Sequence, residues 1–367
     1  MNYIVAADRL CCFYYKDGGI WFCEFKDGVW SETRELISKA RKNFTVSLVN
    51  EKALLIWQDD KGNLNRGRFN GENIITEVLI KGSGGLGQYR AMPTEGGVNL
   101  IYNLPISGDD VNMLMTQFVG TNGAWGAAGR VDNISSMADG LFKLIPVAGE
   151  HFLAVYQNGG FESRLGYREI YGGEVGRYNL IHSSIHKFAG YSFLATKYDL
   201  HCVCVVKGVF GSRLIYKKKG TDGLTPGIVV AEGQNLHNIM LCMVDEKLRI
   251  LFVSNDKLYC MGARDDGYGW AFLPLEEHEK SLSGRLSKAV FLSTDKGSKG
   301  ILANELLVHE EKPWEIKVFE NQVFKPYLQA PQAQETQEIR ENPPHTEEEY
   351  NKFFDDMENE LIEFMGG

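Results

Sequence analysis

The residues of this chain with obvious chemical capacity are its eight histidines, seven cysteines, six tryptophans and 48 acidic side chains. Spacing decides what each could do. His182 and His186 stand four apart, the separation that places two imidazoles over one metal on a helix, but NLIHSSIHKF reads as a strand end and a loop. Glu276, Glu277, His278 and Glu279 form a dense polar run, which without outer support reads as a solvated loop. Gly82, Gly84 and Gly87 match the spacing of a dinucleotide-binding loop. Pro93 soon follows and interrupts any helix, so a pyrophosphate would find no helix N-terminus there, and a connecting loop is the better reading. No P-loop, nucleophile elbow or HExxH motif occurs. These residues assign no catalytic side chain, no metal ligand and no cofactor.

Cys11, Cys12, Cys23, Cys202, Cys204, Cys242 and Cys260 all fall in predicted strands, and none makes a CxxC pair. They read as reduced thiols packing as small hydrophobes. The first residues, NYIVAADRL, lack a basic start and a long apolar core, so a cytoplasmic protein without a signal is expected. No apolar run approaches the ~20 residues of a membrane span. The net charge of −9 is localised. Residues 331–367 hold eleven acidic and two basic residues, which leaves 37 of each among the first 330. A neutral body offers no clustered basic face for nucleic acid, and Lys217-Lys218-Lys219 reads as a solvated hairpin tip.

The tryptophans carry the best local case for a ligand. Asp27-Gly28-Val29-Trp30, Asn122-Gly123-Ala124-Trp125 and Gly267-Tyr268-Gly269-Trp270 each set an indole just after a turn. Trp30, Trp125 and Trp270 could stack on the apolar face of a sugar while a neighbouring Asp or Asn bonds its hydroxyls. The competing use is a wedge between neighbouring sheets, and that use is favoured.

The elements that must position these residues come from a repeat. Seven times, at intervals of roughly 48 residues, two apolar runs alternate with Gly/Asp/Asn-rich turns. The second run of each unit reads LCCFYYKDG from Leu10, ALLIWQDDKG from Ala53, NLIYN from Asn99 and FLAVYQNGG from Phe152. The later units give HCVCVVKG from His201, LRILFVSND from Leu248 and ILANELLVHEE from Ile301. Each unit parses as four short strands. The second gives NFTVSLV, ALLIWQ, LNRGRF and NIITEVLI, with Asn70-Gly71 as a type I′ turn signal. The sixth gives IMLCMV, LRILFVS, KLYCMGA and GWAFLPL.

On these units and the recurring turn–Trp echo, the chain resembles the β-propeller superfamily, its lectin-like and WD-repeat-like members above all. The expected fold is all-β: a seven-bladed propeller of four-stranded antiparallel blades over residues 1–328. Strand 3–7 would start the first blade and 323–328 would end the seventh, so that no strand is exchanged at closure. Sialidase-like propellers carry Ser-x-Asp-x-Gly-x-Thr-Trp boxes, and Ser293-Thr294-Asp295-Lys296-Gly297-Ser298 is a partial copy without the Trp. That resemblance would add arginines gripping a carboxylate, for which Arg90, Arg164, Arg168 and Arg213 are candidates. The pair of carboxylates for glycoside hydrolysis is not identifiable among 48 acids.

Residues 329–345 are rich in Gln, Glu and Pro and read as a disordered acidic linker. Over 346–365, Thr346 and Glu349 make a capping box, and Tyr350, Phe353, Phe354, Met357, Leu361 and Met365 recur at helical spacing. This amphipathic helix is expected to dock on the ring's own flank, on a protein partner or on a second copy. The leading functional expectation is a non-enzymatic interaction scaffold that presents loop surfaces. A carbohydrate-binding propeller is the alternative, and a sialidase-like or lyase-like hydrolase is the third.

Overall fold

Aromatic and β-branched residues between tight turns produce strands throughout. A computed structural model describes residues 2–328, apart from 50, 83–86, 95, 107–110, 121–123, 137–139, 149, 160, 265–268, 276–285, 295–299 and 317–319. Sheet 1 holds β1 (Asn2–Ala6), β2 (Leu10–Lys16) and β3 (Gly19–Lys26), with β4 (Val29–Trp30) and β5 (Arg34–Ile37) at its outer edge. Sheet 2 is β6 (Ala40–Val49), β7 (Lys52–Asp59), β8 (Leu64–Phe69) and β9 (Ile74–Ile80). Sheet 3 is β10 (Tyr89–Thr94), β11 (Gly97–Pro105), β12 (Val111–Gly120) and β13 (Gly129–Ser135). Sheet 4 is β14 (Phe142–Ala148), β15 (His151–Asn158), β16 (Ser163–Tyr171) and β17 (Glu174–Ser184).

Sheet 5 comprises β18 (Phe188–Ala195), β19 (Leu200–Lys207) and β20 (Ser212–Gly220), edged by β21 (Gly223–Leu224) and β22 (Ile228–Gly233). Sheet 6 is β23 (His237–Val244), β24 (Lys247–Ser254), β25 (Lys257–Arg264) and β26 (Gly269–Leu273). Consecutive strands of each sheet are antiparallel neighbours, as short hairpin connections require. Asp17-Gly18 and Asp27-Gly28 supply the paired positive φ of type I′ turns, at 49° and 82° and at 53° and 83°. The second sheet's turn is built differently. Only Gly71 has positive φ, and the Asn70 Oδ1 accepts from the amides of Glu72 (3.1 Å) and Asn73 (2.7 Å).

Six apolar clusters lie between sheets, and they show how the sheets are arranged. Phe13 and Phe22 meet Phe44, Leu55 and Phe69 between sheets 1 and 2. Leu54 and Ile56 meet Tyr89 and Leu100 between sheets 2 and 3. Further clusters join sheets 3 and 4, 4 and 5, and 5 and 6. The last packs Leu251 and Cys260 of sheet 6 against Leu10 and Cys12 of sheet 1, which closes the ring. A closed circle of radially packed four-stranded sheets is a β-propeller, and among the described residues it has six such sheets. The strand ranges read for the second and sixth units agree with sheets 2 and 6 to within a few residues. All seven cysteines are buried and free. Burial pushes the thiols of Cys11, Cys12, Cys202 and Cys242 up, so they stay neutral.

The expected seventh blade does not form as a separate sheet among the described residues. Its strands are β27 (Leu286–Ser293), β28 (Ile301–Ala303) and β29 (Glu305–His309). β27 pairs in parallel with β1, the innermost strand of sheet 1, and β29 pairs with β27 on its far side. β28 pairs with β23, the innermost strand of sheet 6. The seventh unit thus extends two blades inward, into the central channel, and strands from the two ends of the ring do meet at closure. The expected closing strand at 323–328 is instead the end of helix α1 (Glu320–Leu328). Val323, Phe324 and Tyr327 recur at helical spacing. Phe324 stacks on Phe25 at 4.4 Å and the Tyr327 hydroxyl donates to the Ala7 carbonyl, so the helix caps the seam between sheets 6 and 1. No helix among the described residues is long and apolar enough to cross a membrane.

Candidate functional site: the central cavity

The inner strands of a propeller surround its axis, and the inserted seventh unit divides that space. A cavity of about 730 Å³ lies between β6, β10 and β14 on one side and β27, β28 and β29 on the other. Its wall is mainly aliphatic, with half-buried Leu48, Leu144, Val147, Val290, Leu292 and Leu302. This volume and lining fall within the range of small-molecule sites.

Among the described residues four charged side chains line it: Arg90, Lys143, Lys288 and Glu305. Lys143 enters from blade 4 and Glu305 from β29. The Lys143 Nζ lies 2.8 Å from the Glu305 Oε1, donates to the Tyr191 carbonyl at 2.9 Å and sits 4.4 Å from the Tyr191 ring centre. The Lys288 Nζ approaches the same carboxylate at 3.7 Å and the same carbonyl at 3.4 Å. The Ser192 hydroxyl lies 3.4 Å from the Glu305 Oε2 and accepts from the Leu241 amide at 3.0 Å. One carboxylate therefore serves two ammonium groups. A shared, hydrogen-bonded arrangement is what allows such charges to be buried. The Asn304 amide donates to the Phe193 carbonyl at 2.9 Å and the Asn238 amide to the Leu286 carbonyl at 2.8 Å, tying the insert to blade 5 and to blade 6.

Arg90 is handled differently. It is 8% exposed, and its Nη1 donates to the Tyr89 carbonyl at 2.7 Å. No carboxylate among the described residues lies within ion-pair distance of it.

The other sequence candidates lie elsewhere. Trp30 packs on Phe25 and Phe324 in the seam between sheets 6 and 1, Trp125 joins the cluster between sheets 2 and 3, and Trp270 meets Tyr216 at 5.0 Å between sheets 5 and 6. All three are half-buried, and each Nε1 is buried without an acceptor among the described residues. These positions are those of the wedge. Of the arginine candidates, only Arg90 reaches the cavity. Arg168 bonds Asp132 and Tyr156 between blades 3 and 4, Arg213 pairs with Glu232 at 3.0 Å on the surface, and Arg164 is exposed. The four arginine candidates do not converge on one place.

His182 packs against Phe188, and burial lowers its pKa. No three His, Cys, Asp or Glu side chains among the described residues converge as a metal site. The 276–279 run, residues 83–86 of the glycine-rich loop and residues 295–298 of the partial box lie outside the described residues. So do Tyr350, Phe353, Phe354, Met357, Leu361 and Met365.

Sequence reasoning missed the Lys143–Glu305–Lys288 cluster, whose members come from three separate strands. One local signal existed. Each is a charged residue inside an apolar run, FKLIPV, LSKAVFL and NELLV, and such charges are buried only with partners.

No family model matches the chain, and no curated protein matches it. Some solved structures are similar to it at low identity. A mutant AofleA from Arthrobotrys oligospora is 15% identical over 75% of this chain and 81% of its own, with a TM-score of 0.41. The six-bladed, fucose-recognising lectin of Aleuria aurantia is 10% identical, covering 77% of this chain and 96% of its own, at 0.43. A neuraminidase-like protein of A/little yellow-shouldered bat/Guatemala is 10% identical over 74% and 92%, at 0.45. At these values the likeness carries no residue role, ligand or activity to this chain.

Proposed function

We propose that this protein is a non-enzymatic interaction scaffold, and that its docking surface is the ring face formed by loops of blades 4 and 5. One observation carries the reading. Phe161, Ile185, Val209 and Phe210 are 102%, 74%, 82% and 97% exposed. Phe161 lies between β15 and β16, Ile185 between β17 and β18, and Val209 and Phe210 between β19 and β20. In an up-and-down blade, the turn after the second strand and the link to the next blade emerge at the same end, so all four residues crown one face. The Lys207 amide bonds the Lys187 carbonyl at 3.4 Å, which ties two of these loops together. Large apolar side chains gathered at loop tips cost solvation and mark contact surfaces. The aromatic pair has the chemistry of interface anchors for a protein partner. The helix read at 346–365 would add a tethered second contact to the same partner or to another copy.

The chemistry around the cavity supports a binder over a hydrolase. A glycosidase needs two carboxylates facing one bond, and Glu305 is the one carboxylate among the described lining residues, already engaged by two lysines.

The test uses immobilised wild type and a Phe161→Ser, Phe210→Ser double variant exposed to cell extract. A polypeptide retained by the wild type is then purified and titrated against both. The proposal expects at least a tenfold weaker Kd for the variant at unchanged Tm. Equal affinity for both proteins would contradict it. Light scattering on the full chain and on one ending at Leu328 reports the tail's part, since loss of an oligomer on truncation would assign it to self-assembly.

A further inference from the structure

We infer that the central cavity is a binding site for an apolar molecule bearing one carboxylate, with Arg90 as the group that grips the carboxylate. Three cations and one carboxylate line the cavity among the described residues. Glu305 is bound by Lys143 and Lys288, which leaves Arg90 over nine-tenths buried with, among the described residues, a single backbone carbonyl as its partner. A lysine in this position could shed its proton to escape the cost of burial, but a guanidinium cannot. Its planar fork presents several N–H donors, and the Tyr89 carbonyl uses one nitrogen. A carboxylate is the anion whose geometry matches the remaining fork with two parallel hydrogen bonds.

The rest of the site sets the ligand's body. Serine, threonine and asparagine side chains share the wall with Leu48, Leu144, Val147, Val290, Leu292 and Leu302, so a volume of about 730 Å³ suits a medium-length, mainly apolar body with room for a few polar contacts. Net positive charge on the wall favours a monoanion over a neutral molecule and strongly over a cation. Lys143 and Lys288 do not substitute for Arg90, because their ammonium groups are spent on Glu305 and the Tyr191 carbonyl. The inserted strands matter to this site as much as the blades do, since β27 and β28 supply Val290, Leu292 and Leu302.

The probes are decanoate and decanol, titrated calorimetrically into the full chain and into Arg90→Gln. Wild type is expected to bind decanoate at least tenfold tighter than decanol. Arg90→Gln should erase that preference while keeping the decanol affinity within about twofold, and its unliganded Tm should be unchanged or higher, since no ion pair is lost. Equal binding of both probes to the wild type would leave a ligand cavity without an anion anchor and overturn the inference. So would a decanoate preference that survives in Arg90→Gln, which would move the anchor to the lysines. A lower unliganded Tm with no change in preference would make Arg90 structural. Failure of both probes at millimolar concentration would remove the cavity as a site for this ligand class, and the inference with it.

Discussion

Blades 1 to 6 and the seventh unit are written in the same strand-and-turn pattern, yet only the first six become blades. The difference lies in what each unit can bury. Blade 2 has four strands of ten, eight, six and seven residues, with apolar side chains for two gaps. Among the described residues the seventh unit offers strands of eight, three and five residues, and carries Lys288, Asn304 and Glu305 where a blade would carry apolar residues. Those groups need polar partners, which the inner strands of blades 4 and 5 provide through Lys143, the Tyr191 and Phe193 carbonyls and Ser192. A repeat unit with short strands and buried polar groups is thus more stable as an insert than as a wedge. The channel, which in a ring of six sheets would otherwise be open, becomes a walled cavity.

Substitutions in the two regions should differ in cost, and the largest effect belongs to the gaps between blades. Phe13 is fully buried against Phe22 and Phe69, so Phe13→Ala should cost about 4 kcal/mol in urea denaturation. A cost below about 1 kcal/mol would mean that this gap is not close-packed. Next comes the insert. Glu305→Gln leaves buried Lys143 and half-buried Lys288 without their anion and should cost about 3 kcal/mol. An effect near zero would place Glu305 in solvent and the insert outside the channel.

A smaller effect is pH-dependent and lies in a gap. The His201 Nδ1 sits 2.8 Å from the Tyr216 hydroxyl, and burial lowers the His201 pKa to about 4, with Asp199 opposing and Lys218 adding to the shift. Because the folded value is below the unfolded value near 6.5, the unfolded chain takes up the proton first. This contribution is complete above about pH 6.5 and is lost as pH falls towards 4, by about 2–3 kcal/mol. Subtracting the same profile for His201→Gln removes the carboxylates' own titration. A difference that stays flat over that window would mean the imidazole is solvated. The smallest effect belongs to the cavity wall. Leu144 already faces open space, so Leu144→Ala should cost less than about 1.5 kcal/mol, well under the gap phenylalanine.

Much of the blade architecture was legible because strand pattern is local. The four strands of the second and sixth units can be read from alternating runs and turn residues without knowing their neighbours. The number of blades was not legible. Whether β27 starts a new sheet or joins β1 depends on a parallel pairing of residues nearly the whole chain apart, such as Asn2 with Ala289. The site divides the same way. Arg90 stood among the arginines nominated for gripping a carboxylate, though the other three nominated with it lie elsewhere. Lys143 and Glu305 had only their oddness as charges within apolar runs, and their pairing is created by the insertion itself. The tryptophans show the limit of a repeated motif, since one turn–Trp pattern serves equally for a sugar platform and for a wedge, and side-chain burial distinguishes them.

Whether the seventh unit occupies the channel is decided by a double-mutant cycle between Lys143 and Glu305. Lys143→Met, Glu305→Gln and the double variant would be compared with wild type in urea. Across a channel-filling insert the two side chains touch, and a coupling of about 1–3 kcal/mol is expected. If the seventh unit were instead a blade between the sixth and the first, Glu305 could not reach the inner strand of blade 4. The two costs would then add to within about 0.5 kcal/mol, and the seventh unit would lie outside the channel.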